Sequence, residues 1–436
     1  MKIKSLILGT VAAAGLSTAP LAAGLETVLT SLDVCDALGY SGLTISSADN
    51  CLQITGGVAT EFKWGDFNGT QIIVNSFGIA PALNATIPDN DGVAPAELDW
   101  DSKIDAWLKF VGTASSSWGP ASATIKLDYD GDTIVDNEVV NAGSTMQRLR
   151  VEEAYVSIGD TTVLMAGRKG SVANFGNDAP LNWLGLFNSS RIDDDVNSLD
   201  TAGVGFSANL PTGGDVIQVK SDLGNGVTVA GGLENLNGTV PQAGTAVGVL
   251  AYAGNGVAAN VTVLAGGILD GTVENWAIQA GMTATLDMIT LVGAIAADNL
   301  GYWNVLGSAA LNYDMFTLAI SGEATSANEI GFGASASAEV STGVTINAGF
   351  RWFDTDTTLA NNEGYQAAVQ LVAAVTETVT ITGEAGIYGT TAPTNTAYGA
   401  GTLAWAPGGG FTSSVKGEFY ANGAYALTFK AAKNFQ

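Results

Sequence analysis

Three stretches in the first half of the chain place charge at every second position. In LDWDSKIDAWLKF, Asp99, Asp101, Lys103, Asp105 and Lys109, with Trp107 in the same phase, alternate with Trp100, Ile104, Leu108 and Phe110. In ASATIKLDYD, Lys126, Asp128 and Asp130 oppose Ile125, Leu127 and Tyr129, and in QRLRVEE, Arg148, Arg150 and Glu152 oppose Leu149 and Val151. Period two is the period of a strand, so each set shares one face, and Arg168 and Lys220 extend the basic part of it. Opposite charges held along a wet wall act on passing solutes through their field, with no bond made or broken.

Covalent chemistry is poorly supplied. The 436 residues include no histidine, so serine and cysteine triads and most hydrolytic metal sites lack their base or ligand. No carboxylate pair stands out among 42 acidic residues, and glycine runs such as GFGAS lack the strand–loop–helix setting of a phosphate loop. DYDGDTIVDNE (128–138) has carboxylates at alternate positions, yet Thr133 stands where a calcium loop needs glycine; a loosely held divalent ion at that loop stays open. The sequence calls for no cofactor.

The elements that must position these charges are strands. Val379, Ile381, Gly383, Ala385 and Ile387 alternate with Thr378, Thr380, Thr382, Glu384 and Gly386. In the last segment Tyr425, Leu427, Phe429, Ala431 and Phe435 oppose Thr428, Lys430 and Asn434. One face suits lipid and the other water, in segments of about ten residues. Short turn signals at 224–226, 254–256, 341–343 and 407–410 alternate with longer polar connections at 354–364 and 388–399. Residues 235–269 carry no charge, but Pro241, the Gly-Asn-Gly at 254–256 and interleaved Thr and Asn break any helical span, so they read as a hairpin.

Composition points the same way, with 47% hydrophobic and only 13% charged residues, 56 glycines and 10 prolines. A soluble β-sandwich also alternates, yet no Lys or Arg occurs between Lys220 and Arg351, an odd surface for a soluble protein. The basic head Met1–Lys4, the apolar run SLILGTVAAAGL and the small residues to Ala23 form a secretory signal, with cleavage expected after Ala23. Removing residues 1–23 takes Lys2 and Lys4 away and moves the net charge from −26 to −28, which excludes nucleic acid as a partner. Cys35 and Cys51, the only cysteines, then meet an oxidising compartment and read as a disulfide, a two-thiol metal site and separate free thiols being the rivals.

VCDALGY, followed by a spacer and NCLQITGGV, resembles the N-terminus of the alphaproteobacterial general porin family over about residues 34 to 60. The likeness is weaker over RLRVEEAYVSIGDTTVLMAGRKG (148–170) and elsewhere is one of architecture. It implies a Gram-negative outer-membrane, multi-pass barrel that passes small hydrophilic solutes and ions, assembles as a homotrimer and pairs Cys35 with Cys51. It also implies an antiparallel all-β barrel of sixteen strands, although about twenty candidate strands are drawn directly, so 18–20 stays possible. The chain ends Asn434-Phe435-Gln436, one position past the family's terminal aromatic.

The expected organisation is a signal peptide (1–23), a disulfide-closed segment (24–51) and a barrel (52–436). The third loop, about 169–200, is expected to fold inward on Trp183, Leu184, Leu186 and Phe187 and narrow the channel. Asp178, Asp193, Asp194 and Asp195 of that loop would face Arg148, Arg150, Arg168, Lys126 and Lys109 across the constriction, with mild cation selectivity. Glu153 falls in the lipid-facing phase and is expected at a subunit interface. The alternatives are a secreted acidic surface-layer-like protein and a substrate-specific outer-membrane channel.

Overall fold

A computed structural model describes residues 32–47, 49–66, 99–134, 145–186, 204–354, 357, 363–390 and 395–435. The chain begins with a short helix, α1 (Leu32–Ala37), and a short strand, β1 (Leu43–Ser46). Four long strands follow: β2 (Asn50–Asp66), β3 (Asp99–Ser116), β4 (Gly119–Ile134) and β5 (Thr145–Gly159). Next come β6 (Thr162–Lys169), β7 (Gly214–Gly224), β8 (Val227–Glu234), β9 (Thr245–Gly254) and β10 (Val257–Gly266). Then β11 (Asn275–Leu286), β12 (Ile289–Asp298), β13 (Trp303–Tyr313), β14 (Phe316–Thr325), β15 (Ile330–Ser341) and β16 (Val344–Asp354). The last are β17 (Glu363–Ala374), β18 (Val379–Thr390), β19 (Thr396–Gly408), β20 (Phe411–Tyr420) and β21 (Tyr425–Phe435).

Each strand from β2 onward pairs antiparallel with the next, and β21 pairs back onto β2 from Gly56↔Phe435 to Asp66↔Tyr425. The sheet therefore closes into a barrel of twenty strands, β2 to β21, with no free edge around its wall. Sixteen strands, as the family resemblance implies, is corrected to twenty; the count drawn directly from alternation was the better guide. β1 is outside that count, pairing only with the start of β2 (Leu43↔Ile54 to Ser46↔Cys51).

Turn chemistry explains the alternation of short and long connections. Asn225 and Gly226 have φ of 54° and 80°, and Asn255 and Gly256 have 52° and 77°. Positive φ at both central residues is what a tight, right-twisting hairpin requires, and Asn-Gly meets it at least strain. Two-residue turns thus gather at one end and longer connections at the other; of the connection between β6 and β7, residues 170–186 and 204–213 are described.

Period-two patterning sorts residues between the two faces of the wall. One face carries Leu250, Val263, Ile278, Ile295, Phe332, Val369 and Leu371, all exposed, with Ile320 at 64%. The other carries Thr262, Gln279, Ser308, Ser321, Gln366 and Thr428, which are buried. Polar groups are inside and apolar ones bare, the reverse of a soluble protein. Aromatics on the bare face form two bands: Trp64, Trp276, Trp303, Phe419 and Tyr425 at the loop end, and Tyr313, Phe316, Trp405 and Phe411 at the turn end. Trp64 packs edge-on to Tyr425 at 6.0 Å and Trp405 to Phe411 at 5.7 Å. A bare apolar belt between two aromatic girdles is the exterior of a barrel that crosses a bilayer.

Candidate functional site: a charged wall and the segment beside it

The expected alternation holds on β3, β4 and β5 as far as Val151, and register brings the charges onto the polar face. Lys109 lies opposite Lys126, Asp105 opposite Asp130, and Asp128 opposite Arg150. Most of the groups pair across strands, Arg150 with Asp128 at 2.8 Å and Asp130 at 3.1 Å, Lys109 with Glu153 at 3.0 Å, and Lys126 with Glu152, while Lys103 pairs along β3 with Asp105 at 3.7 Å. Lys430 on β21 joins Glu61 on β2 at 2.6 Å, and Lys416 on β20 joins its neighbour Glu418 at 2.7 Å. Most of these groups are partly exposed, so each pair contributes about 0–1 kcal/mol to stability. Their consequence is a fixed mosaic of charge along one continuous wall.

The bulge between Lys126 and Leu127 decides where Glu153 lies. Leu127 faces Val151 and Lys126 faces Glu153, so Glu152 is the extra residue. Plain alternation puts Glu153 on the lipid side; the bulge shifts its phase and returns it to the polar face, where it meets Lys109. The expectation that Glu153 marks a subunit interface is therefore withdrawn.

Other expected site residues separate. Arg148 is exposed and sits opposite Asp130, in phase with Arg150. Arg168 lies opposite Ala154 and Asp215, in phase with the exposed Leu164, and so is on the apolar face near the loop end. It does not join Arg148, Arg150, Lys109 and Lys126; its neighbour Lys169 takes the polar phase and lies 5.3 Å from the Tyr155 ring. Asp193, Asp194 and Asp195 lie outside the described residues, as does Phe187. Asp178 is described and buried, and its Oδ2 accepts the Val204 N–H at 3.0 Å. It therefore ties two limbs of the long connection together and does not face the cations. Burial pushes its carboxyl up to about 6.

Residues 170–186 and 204–213 of the connection between β6 and β7 lie along the polar face between β7 and β16. Val172 N–H and Gly213 N–H donate to the two oxygens of Glu234 at 2.8 and 2.7 Å, so one buried carboxylate holds both roots. Farther along, Asn174 N–H donates to Thr262 Oγ1, Leu181 N–H to Ser308 Oγ and Trp183 N–H to Ser335 Oγ. The buried Arg351 donates from Nη1 to the Leu184 carbonyl at 3.0 Å. On the return limb Ser207 and Ala208 N–H both donate to Asp298 Oδ2 at 2.8 Å. Backbone donors that have left the sheet are thus met by wall side chains, which a segment in this position requires.

Apolar contacts complete the docking. Leu186 and Val204 bury against Val292, Ala294, Ala296 and Leu306, and Leu210 against Val247, Leu264 and Ala277. Trp183 and Leu184 pack on the cluster of Phe353, Tyr388, Tyr398 and Tyr420. Close approach is allowed by glycine: a Cβ on Gly281 would lie 2.4 Å from the Gly176 carbonyl, and one on Gly349 2.8 Å from Leu184. Trp183, Leu184 and Leu186 were legible as anchors; Glu234, Thr262, Asp298, Ser308, Ser335 and Arg351 were not. Their only sequence signal was a polar phase, which does not say what covers it.

Cys35 and Cys51 form a disulfide, both buried. Cys51 is in register with Thr113 on the polar face, and Thr113 Oγ1 donates to the Tyr40 hydroxyl at 3.1 Å. The helix α1 is thereby fastened at the turn end of the wall. Among the described residues no group of three acidic or cysteine side chains is arranged to hold a metal, and Asp128 and Asp130 of the calcium-like stretch are engaged by Arg150.

A closed barrel with a bare apolar exterior and a polar, charge-lined inner face defines a transmembrane β-barrel. No family model and no curated protein matches the chain. Among solved structures it is similar to a variant of the Rhodopseudomonas blastica porin, at 10% identity and a TM-score of 0.37, covering 88% of this chain and 100% of that one. It is also similar to an anion-selective porin from Comamonas acidovorans, at 11% identity and a TM-score of 0.36, covering 89% and 100%.

Proposed function

We propose that this protein is an outer-membrane porin through which small hydrophilic solutes and ions diffuse passively, with a mild preference for cations. The observation that carries this reading is the division of the wall. Its bare side is apolar between aromatic girdles, and its polar side bears a ladder of ion pairs on β2–β5, β20 and β21. In this reading the polar side is the lumen, and the constricting third loop enters it through residues 170–186 and 204–213, docked from β7 round to the aromatic cluster that reaches Tyr420 on β20. Solutes pass between that segment and the exposed Arg148 and Arg150, where fixed charges order water and polar groups and disfavour apolar ones. Acidic residues outnumber basic ones 42 to 16, which draws cations to the mouth. A homotrimer belongs to the same reading and rests on the resemblance at residues 34–60. A secreted surface protein would have to hold the apolar belt in water.

The test is the ion current of the detergent-extracted protein in a planar bilayer under a salt gradient. Stable steps in groups of three with a cation-selective reversal potential are expected, and the paired change Arg148→Glu and Arg150→Glu should move that potential further toward cation selectivity. Absence of current from folded protein overturns the channel, and an unchanged potential in the double variant overturns the assignment of the two arginines.

A further inference from the structure

Trp107 is the one aromatic residue of the charged phase on β3, and its indole lies close against β2. It lies opposite Gly57 on β2, where an added Cβ would sit 2.8 Å from the indole Nε1 and 2.2 Å from Asn434 Oδ1. The Nε1 edge of the indole is thus held against β2. The Lys126 ammonium stands over the ring, 5.6 Å from its centre. A face that a long side chain can reach from the interior is a face that a solute meets.

Beside Trp107 on the same face stand Lys109, Lys126 and Arg150 together with Asp128, Asp130, Glu152 and Glu153, each basic group paired with an acidic one. An ammonium has three donors and a carboxylate about four acceptor sites, so pairing leaves donors and acceptors of both kinds free for a further partner. Charge is close to balanced across this patch, and a solute with net charge meets its like charge within it. A second cation over the ring is opposed by Lys126 and Lys109 already there. The arrangement suits a neutral ring that is apolar on its face and rich in hydroxyls at its rim.

From this geometry we infer that Trp107, Lys109, Asp128, Glu152 and Glu153 form a binding subsite for neutral saccharides on the inner wall, with Lys126 as its displaceable cover. The weakly positive C–H bonds on a pyranose face meet the negative π-face of the indole, while its hydroxyls exchange water for the flanking carboxylates and ammoniums. Binding displaces Lys126 from the ring toward Glu152, its existing partner. The inference rests on the channel reading above and adds to it the class of solute that pauses in the pore.

The experiment titrates maltotriose against the ion current of the full-length protein in a planar bilayer. The unaltered channel should show a saturable block. Trp107→Ala should raise the half-blocking concentration about tenfold, Trp107→Phe less, and Lys126→Ala, which uncovers the ring, should lower it. The Phe and Lys126 variants keep the test valid if the alanine variant does not fold. A current that falls only in proportion to sugar concentration, an equal half-blocking concentration in Trp107→Ala, or a stronger block by choline than by maltotriose overturns the subsite while leaving the channel intact. No current at all from folded protein overturns both.

Discussion

At the scale of single residues, phase decides role. Arg150 and Arg168 are both arginines in the same part of the chain, yet one lies on the ion-pair ladder and the other in phase with Leu164 on the apolar side. Alternation gave Arg150 its face correctly because β4 and β5 pair regularly from Thr145 to Val151. Glu153 was misassigned because a bulge is one extra residue and leaves no mark in the pattern of residue types. A cysteine placed at Glu153 should therefore react with a water-soluble thiol reagent and form no crosslink between subunits; an efficient crosslink would return it to the outside. Asp178 has a pH signature. Its carboxyl titrates near 6, above the ordinary carboxylate value of 3.8, so folding favours its protonated form. That penalty is absent below the unfolded value, grows as pH rises through the gap and is complete above the folded one. Going from about pH 7 to about pH 5 should tighten the docked segment, slowing amide exchange at Val204 and reducing current noise, and Asp178→Asn should abolish the difference. Equal noise at both values in the unaltered protein would contradict it.

At the scale of elements, strands β2 to β5 are 15 to 18 residues long, whereas about 9–11 suffice to cross a bilayer. The strands that carry most of the charge ladder are thus also those that outreach the membrane. The segment 170–213 depends on a different set of residues. Replacing Leu186, wholly buried on the wall, by alanine should cost about 2–5 kcal/mol of docking and lower the unfolding temperature of that segment before that of the barrel. Its start after β6 and the anchors Trp183, Leu184 and Leu186 were readable from the sequence, whereas the connection extends to residue 213 and not to about 200. Its partners were not, because Thr262, Ser308 and Ser335 look like any other polar residues of an inward phase until something is seen to lie on them. The Cys35–Cys51 disulfide is the third element, and its two residues announced it. It closes a separation of 16 residues, for which the chain-entropy estimate is about 3 kcal/mol. The double change Cys35→Ala and Cys51→Ala should make residues 32–47 susceptible to protease while leaving the barrel heat-resistant, and equal resistance of that segment would deny the bond this fastening role.

At the scale of the molecule, closure between β2 and β21 turns a set of amphipathic strands into a wall with two solvents. Alternation, short Asn-Gly turns and the uncharged stretch from 235 to 269 were enough to read the barrel, because each strand repeats the same local rule. Strand number was harder: it depends on which segments pair, a long-range property, and the resemblance at the N-terminus drew the count toward sixteen while the pattern itself held about twenty. What the whole account rests on is that the charged phase of β3 faces water inside the barrel and its apolar phase faces lipid. The most direct measurement places a single cysteine at each of two adjacent positions, Lys109→Cys and Leu108→Cys, and adds a charged thiol reagent during a current recording. A stepwise loss of current at position 109 with none at 108 is expected; block at 108 with none at 109, or at neither in a conducting channel, would contradict the account.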